Sequence, residues 1–376
     1  MAATTASARE RQASAITDAC KSAEDGLELF AQVSDRLRRV LPFDGAAWFA
    51  TDPSTVLATC PVQIQNVADG HCESYWEREC QVEDAMLFRD LARAPIPAAT
   101  LYEATAERPE RSARYREFLV PQGYGDELRA AFRLGTSTWG VLDLFRDKGG
   151  RSFSADDLQT VQAIAPAIAS ALRGFATASA TPATEVDGPG TALFDEHGSI
   201  SSMDENAERW FADLGGPEWS ITTAPVDMSA VYAVVARAQA IQAGTDRGPA
   251  SVRLRSMSGR WLLVHASCLK RTDGRPGPIA VHIEPAKSSQ IAPIIVEAYC
   301  LTSREQQITQ ALARGLSNIE IARELVLSAH TVRDHLKAIF AKVGVASRGE
   351  LVAKLFAEHY GPATHVPDAA VAHVSF

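Results

Sequence analysis

Residues 301–360 read LTSREQQITQALARGLSNIEIARELVLSAHTVRDHLKAIFAKVGVASRGELVAKLFAEHY, and this stretch decides how the carboxyl-terminal part of the chain folds. Its caps alone divide it. Thr302 followed by Glu305 has the spacing of a reciprocal N-terminal cap, in which each side chain takes the other's backbone N–H. The helix it starts runs to about Arg314, and Gly315 supplies the left-handed stop. Ser317 with Glu320 opens a second helix through Leu325. Ser328 caps a third, which runs to about Val343 and stops at Gly344. Ser347 with Glu350 starts a fourth, to about Tyr360.

The apolar positions agree with these boundaries. Ile308 and Leu312 share a face of the first helix, and Ile321, Ala322 and Leu325 share one on the second. Val332, Leu336, Ile339 and Val343 recur on the third, and Leu351 and Leu355 are four apart on the fourth. None of these helices is long enough to be stable alone, so they must enclose a common core. Only Val326 and Leu327 separate the second helix from the third cap, which is helix-turn-helix spacing. The outer face of the third helix offers His330, Arg333, Asp334, Lys337 and Ala341. Arg333 and Lys337 are one turn apart and lie side by side. Such a face can enter a major groove with cationic donors aimed at base edges.

The residues in register resemble the LuxR-type helix-turn-helix of bacterial transcriptional regulators. They are Leu301-Thr302-x-Arg304-Glu305, Gly315-Leu316-Ser317-Asn318, Ile321-Ala322-x-x-Leu325, Leu327-Ser328-x-x-Thr331-Val332-Arg333-x-His335, Ile339, Lys342-Val343-Gly344-Val345 and Arg348-x-Glu350-Leu351. The resemblance implies that the third helix reads bases through Arg333, Asp334 and Lys337. It implies that Ser317, Asn318, Thr331, Lys342 and Arg348 lie near phosphate. It also implies that the fourth helix, with Leu351 and Leu355, pairs two subunits. The partners expected from it are double-stranded promoter DNA, a second copy of the chain, and RNA polymerase. The sequence departs from the pattern at Ala338, where Asn is common, and at Thr309, where Leu is common. Asp334 would repel phosphate but can accept from cytosine.

Charge supports a localised site. Residues 301–360 hold eight Lys/Arg and six acids, a balance of +2, in a chain of net charge −9; the remainder carries −11. An acidic body repels DNA everywhere except at this end. With 376 residues, 46% apolar and 22% charged, the chain has room for two or three globular domains. No run of about 18 apolar residues suggests a membrane span. The start of the chain lacks an apolar signal region. Cys20, Cys60, Cys72, Cys80, Cys268 and Cys300 form no CxxC pair, which fits a reducing cytoplasm.

Toward the amino terminus, residues 1–22 read as a loose leader. Leu27, Phe30, Val33, Leu37 and Val40 mark a helix that Pro42 stops, and Gly45 to Ala50 reads as a buried strand. Leu128–Leu134 and Trp139–Phe145 flank Gly135-Thr136-Ser137-Thr138 as a hairpin. Ser154 with Asp157 caps a helix whose apolar face is Leu158, Val161, Ile164, Ile168 and Leu172. This order resembles a GAF-like sensor domain over 23–174, with the middle, Cys60 to Gly125, matching no pattern. Residues 175–188 read as a linker rich in Ala, Thr, Pro and Gly. A hairpin over 191–200, a helix at 206–214 and strands at 250–254, 260–269 and 278–284 resemble a PAS-like domain over 189–286. Residues 287–300 connect it to the helix-turn-helix domain at 301–361, and 362–376 read as a disordered tail.

The fold class expected is thus multi-domain: an α+β GAF-like domain, a smaller α+β PAS-like domain and an all-α four-helix end. Trp48, Trp139 and Phe145 are candidates to line a pocket for an unidentified small-molecule effector, with core packing the simpler account. His265 and His282 fall on separate strands of the PAS-like region. No nucleophile elbow, P-loop or HExxH is present, so neither an enzyme nor a cofactor nor a metal is expected. Two rival readings remain open: a redox sensor working through Cys60, Cys72 or Cys80, and a scaffold whose helical end binds protein.

Overall fold

A computed structural model describes residues 2–68, 71–176, 188–195, 198–215, 228–299 and 301–352. The hairpin expected around Gly135 is the spine of its first sheet. Strands β4 (Tyr124–Leu134) and β5 (Ser137–Asp147) pair along their whole length, with Leu134 opposite Ser137. Only Gly135 and Thr136 form the turn, and Gly135 takes φ +60°, as a two-residue hairpin requires. The four-residue turn read from sequence was therefore too long: Ser137 and Thr138 join the strand.

Helices α1 (Ala2–Ser22) and α2 (Gly26–Arg38) precede strands β1 (Gly45–Thr51) and β2 (Ala58–Gln65). Helices α3 (Cys72–Gln81) and α4 (Phe88–Leu91), strand β3 (Ala98–Thr100) and helix α5 (Leu101–Ala104) follow, and α6 (Ala155–Ala176) comes after β5. The sheet order is β2-β1-β5-β4-β3, antiparallel throughout. Every residue of β1 is buried because both faces of the sheet are covered. Trp48 meets Phe30 of α2, ring centroids 5.7 Å apart, and Phe49 on the other face meets Trp76 of α3 at 5.2 Å. The segment expected to be a loose leader is helix α1. Ile16, Ala19 and Cys20 are buried, and the helix packs on α2 and α6. Its Ala-, Ser- and Thr-rich sequence shows little apolar periodicity; docking holds it in place.

The unassigned middle is fastened to the sheet by buried charges. Arg129 of β4 is fully buried, with Nη2 2.7 Å from Glu79 Oε2, Nη1 donating to the Met86 carbonyl, and its guanidinium 3.6 Å from the Phe88 ring centre. Arg114 reaches Glu127 Oε1 at 2.6 Å and Asp143 Oδ2 at 2.7 Å. Burial, and then the neighbouring Glu127, push the Asp143 carboxyl well above the ordinary range despite both arginines. Three acids against two arginines in a dry site favour a proton on one carboxyl. Truncating one partner of such a set strands the others, so this network makes the segment's position specific.

The second sheet repeats the first sheet's topology. Strands β6 (Gly190–Phe194) and β7 (Ile200–Met203) are followed by helices α7 (Glu205–Gly215) and α8 (Ser229–Ala243), then strands β8 (Ser251–Arg255), β9 (Trp261–Lys270) and β10 (Pro276–Pro285). Their order is β7-β6-β10-β9-β8, so each sheet, counted from its own first strand, runs 2-1-5-4-3. The chain thus contains two antiparallel α+β regions followed by a helical end.

The two sheet regions belong to one compact unit, where sequence suggested separate domains across a linker. Helix α6 extends through Ala176; residues 177–187 of that linker lie outside the described residues, as does the expected tail. Helix α8, which went unread in sequence, packs between α3 and β9. Cys72 Sγ lies 3.9 Å from Ser229 Oγ, and Gln81 donates to Gln239 at 2.9 Å. Arg253 grips Asp52 with Nε at 2.8 Å and Nη2 at 2.7 Å, a bidentate pair, and Arg237 donates to the Thr55 carbonyl at 2.9 Å. The second unit contains α9 (Ser288–Ala298), α10 (Ser303–Ala313), α11 (Asn318–Glu324), α12 (Ala329–Val343) and α13 (Arg348–Val352). The expected connecting segment is therefore largely helical, with Ile291 and Ile294 buried.

Candidate nucleic-acid interface

The caps of the second unit form as their spacing requires. Glu305 N–H donates to Thr302 Oγ1 at 3.3 Å and Thr302 N–H to Glu305 Oε2 at 2.7 Å. Ser317 and Glu320 repeat the exchange at 3.4 and 2.7 Å. Ser328 Oγ accepts from Thr331 N–H at 3.0 Å, and Gly344 ends α12 at φ +70°. The last cap is half reciprocal: Ser347 Oγ accepts from Glu350 N–H, but the Glu350 carboxylate takes Ala346 N–H and the Ser347 hydroxyl. Ile308, Leu312, Ile321, Ala322, Val332, Leu336, Ile339 and Val343 are all buried, as the periodicity predicts. Thr309 is buried too, and its hydroxyl donates to the Glu305 carbonyl at 2.8 Å, so the small residue leaves no orphaned polar group.

The turn between α11 and α12 closes with Leu327 N–H on the Ala322 carbonyl at 2.8 Å and Val326 N–H on that of Arg323 at 3.4 Å. This is the Schellman pattern, whose left-handed position usually holds glycine. Here Val326 occupies it at φ +54° with its side chain 89% exposed.

The outer face of α12 presents His330, Arg333, Asp334 and Lys337 to solvent. Asp334 Oδ2 lies 2.9 Å from His330 Nδ1, one turn earlier. Arg333 and Lys337 have no hydrogen bond or ion pair among the described residues. Of the residues expected near phosphate, Ser317 is committed to its cap, Thr331 shares a hydrogen bond with Ser328 at 2.8 Å, and Asn318 is half-buried.

Two others have internal work that the sequence did not reveal. Lys342 Nζ is 2.6 Å from Glu305 Oε2. Burial raises the Glu305 carboxyl, but the bonds from Lys342 and Thr302 outweigh it and hold it below its usual range. Arg348 Nη2 donates to the carbonyls of Leu316 at 2.7 Å and Leu312 at 3.3 Å, at the end of α10, where a cation is favoured. Their partners lie more than thirty residues away in sequence, so spacing could not expose these roles. Leu351 is buried, so its side chain is not on a free face for a second subunit; Leu355 lies outside the described residues.

The expected effector-pocket residues divide. Phe145 lines a cavity of about 30 Å³ with Phe49, Tyr75, Trp76, Phe118 and Ser229, a space for about one water. Trp48 and Trp139 are buried elsewhere; Trp48 packs between Phe30 and Phe132. The unread middle supplied Tyr75, Trp76 and Phe118, and its aromatic density was the available signal. His265 and His282 sit directly opposite each other on adjacent strands, with His282 Nδ1 3.1 Å from Thr191 Oγ1. Among the described residues no three His, Cys, Asp or Glu are grouped to hold a metal, and no helix is long and apolar enough to cross a membrane. Cys80, a candidate for redox chemistry, is buried and its thiol is pushed up to about 12 by desolvation, which removes the thiolate that such chemistry needs.

Residues 299–355 match the family model described as bacterial regulatory proteins, luxR family. The monoamine regulon transcriptional regulator of Klebsiella aerogenes is 46% identical over 54 residues, covering 14% of this chain and 24% of that one. The CsgBAC operon transcriptional regulatory protein of Escherichia coli is 45% identical over 56 residues, 15% of this chain and 26% of its own. The chain thus spans about a quarter of the length of these curated relatives. The Vibrio cholera VqmA–ligand–DNA complex aligns with 46% of this chain and 83% of its own at 17% identity, with a TM-score of 0.22, too slight a likeness to bear on the fold. The caps, the buried faces and the family match together identify residues 299–355 as a luxR-family helix-turn-helix domain.

Proposed function

We propose that the chain is a sequence-specific, DNA-binding transcriptional regulator that acts as a homodimer in the bacterial cytoplasm on promoter DNA, with RNA polymerase as its downstream partner. The observation that carries this is the pair Arg333 and Lys337. They are one turn apart on a helix capped at both ends, exposed, and without internal partners. The other two cations in family contact positions, Lys342 and Arg348, are tied down, which leaves these two as the contact donors on α12. Asp334 beside them adds an acceptor suited to cytosine.

The first unit, with its GAF-like and PAS-like regions, is the sensory part, responding to a small molecule or a partner. Regulation follows from linkage: an effector that prefers one state of the chain shifts how often two helix-turn-helix domains engage paired half-sites.

The test is a binding-site selection followed by titration of the selected duplex. Arg333→Ala and Lys337→Ala should each weaken specific binding by roughly 1–3 kcal/mol and relax preference at one base position. Equal affinity of the wild-type chain for selected and random duplex would refute the reading.

A further inference from the structure

A second concavity of the first unit lies away from the aromatic cavity. It encloses about 460 Å³ between α4, the β1–β2 turn and the loop that follows α8, within the range of small-molecule sites, which favour junctions between substructures. Four arginines line it, Arg89, Arg93, Arg237 and Arg247, against the acids Glu83, Asp90 and Asp246.

These charges are unequally engaged. Arg237 and Arg89 are largely buried and converge on Asp246 Oδ2, at 3.2 and 4.0 Å, and Arg89 also pairs with Glu83. Asp246 is further held by Gly248 N–H at 2.8 Å. The two inner arginines and two of the three acids are thus wall material. Arg93 comes from the first sheet region and Arg247 from the second; both are exposed, and neither guanidinium has a partner among the described residues. The rim holds Val56 at φ +60°, a conformation costly for a β-branched residue and typical of clamps and binding sites. Its neighbour Thr55 is pinned by Arg237.

We propose that this cleft binds a compact polyanion, phosphate- or carboxylate-bearing, held between the forks of Arg93 and Arg247. Guanidinium groups suit such a ligand because they donate paired hydrogen bonds in a plane. The chain's net charge of −9 makes a locally cationic recess distinctive. A ligand seated there touches both sheet regions at once, which makes it a candidate effector; that last step rests on the sensory role proposed above.

Titration calorimetry of the full chain with pyrophosphate and, separately, with citrate tests the site, at ionic strength fixed with sodium chloride. At least one anion should bind saturably, and the stronger of the two tells phosphate from carboxylate. Arg93→Ala and Arg247→Ala should each weaken binding at least tenfold. Both side chains are exposed and unpartnered, so the variants should keep the wild-type circular dichroism spectrum and, without anion, its DNA affinity. Absence of saturable binding by either anion, or undiminished binding in the double variant, overturns the proposal. A chain that shifts DNA but ignores both anions refutes the cleft alone; one that binds anions but shows no DNA preference refutes the regulator reading and leaves the cleft standing.

Discussion

Val326 offers a stability prediction whose sign is opposite to that of most substitutions. The residue stands at φ +54° in the turn joining α11 to α12, 89% exposed, so its isopropyl group contributes little burial. An L-residue in the left-handed region costs about 1–2 kcal/mol, and β-branching does not ease it. Glycine removes that cost but loses more backbone freedom on folding, about 0.5–1 kcal/mol. The two hydrogen bonds of the turn come from main-chain atoms and survive the change. Val326→Gly should therefore stabilise the helix-turn-helix by about 1 kcal/mol, a decrease of about fivefold in its opening equilibrium. Hydrogen exchange of α11 and α12 peptides in the full chain reads this directly: protection should rise about fivefold in Val326→Gly and by a smaller factor in Val326→Asn, since asparagine tolerates the same backbone. Val326→Ala, which keeps a Cβ, should stay within about twofold of wild type. Lower protection in the glycine variant, or an alanine variant that matches it, would mean that the exposed side chain, rather than the backbone, governs this turn.

Further expectations concern charge. Arg348→Ala and Lys342→Ala should loosen the helical unit, because Arg348 caps α10 and Lys342 pairs with Glu305, while leaving the salt dependence of DNA binding unchanged. A slope reduced by roughly 0.9 per substitution would instead assign them to phosphate. Burial lifts the Asp126 carboxyl from 3.8 to about 6, against the opposing backbone bonds from Phe153 and Glu127. Its folded value is raised, so the stability it contributes is complete below pH 3.8 and is lost as pH climbs through about 6. The stability advantage of Asp126→Asn over wild type, measured by denaturant unfolding, should accordingly grow between pH 4 and pH 7; a constant difference would contradict the assignment. Arg129→Ala strands Glu79 in a dry site and should cost about 3–5 kcal/mol in the same assay.

Legibility followed the range of the interactions. The caps of α10, α11 and α12 join residues three apart, and all three were readable. The five large apolar residues read on α6, Leu158, Val161, Ile164, Ile168 and Leu172, are likewise all buried, with Ala165 and Ala169 beside them, because the rest of that helix keeps the polar periodicity of a partly exposed surface. Helix α8 gave no such signal: ten of its fifteen residues are buried, from nearly every side, which erases the periodicity that marks a half-exposed helix. Arg114, Glu127, Arg129 and Asp143 look like surface charges in sequence. Only the pairing of β4 with β5, the placing of Arg114 from the segment before β4, and the approach of Glu79 on α3 from 50 residues away bring them together. The same distance hid the internal partners of Lys342 and Arg348, leaving resemblance to suggest a phosphate role that the geometry does not require.

The burial of α8 also bears on how this chain can be recombined. A helix seated in two cores cannot be inherited by one of them. An experimenter who swaps the amino-terminal sheet region for that of another protein would leave Ser229, Arg237 and Gln239 without Cys72, Thr55 and Gln81, the groups they meet across it. A graft that moves α1 through β10 as a single cassette, joined to a foreign reading head after Ala286, respects the grain of the molecule.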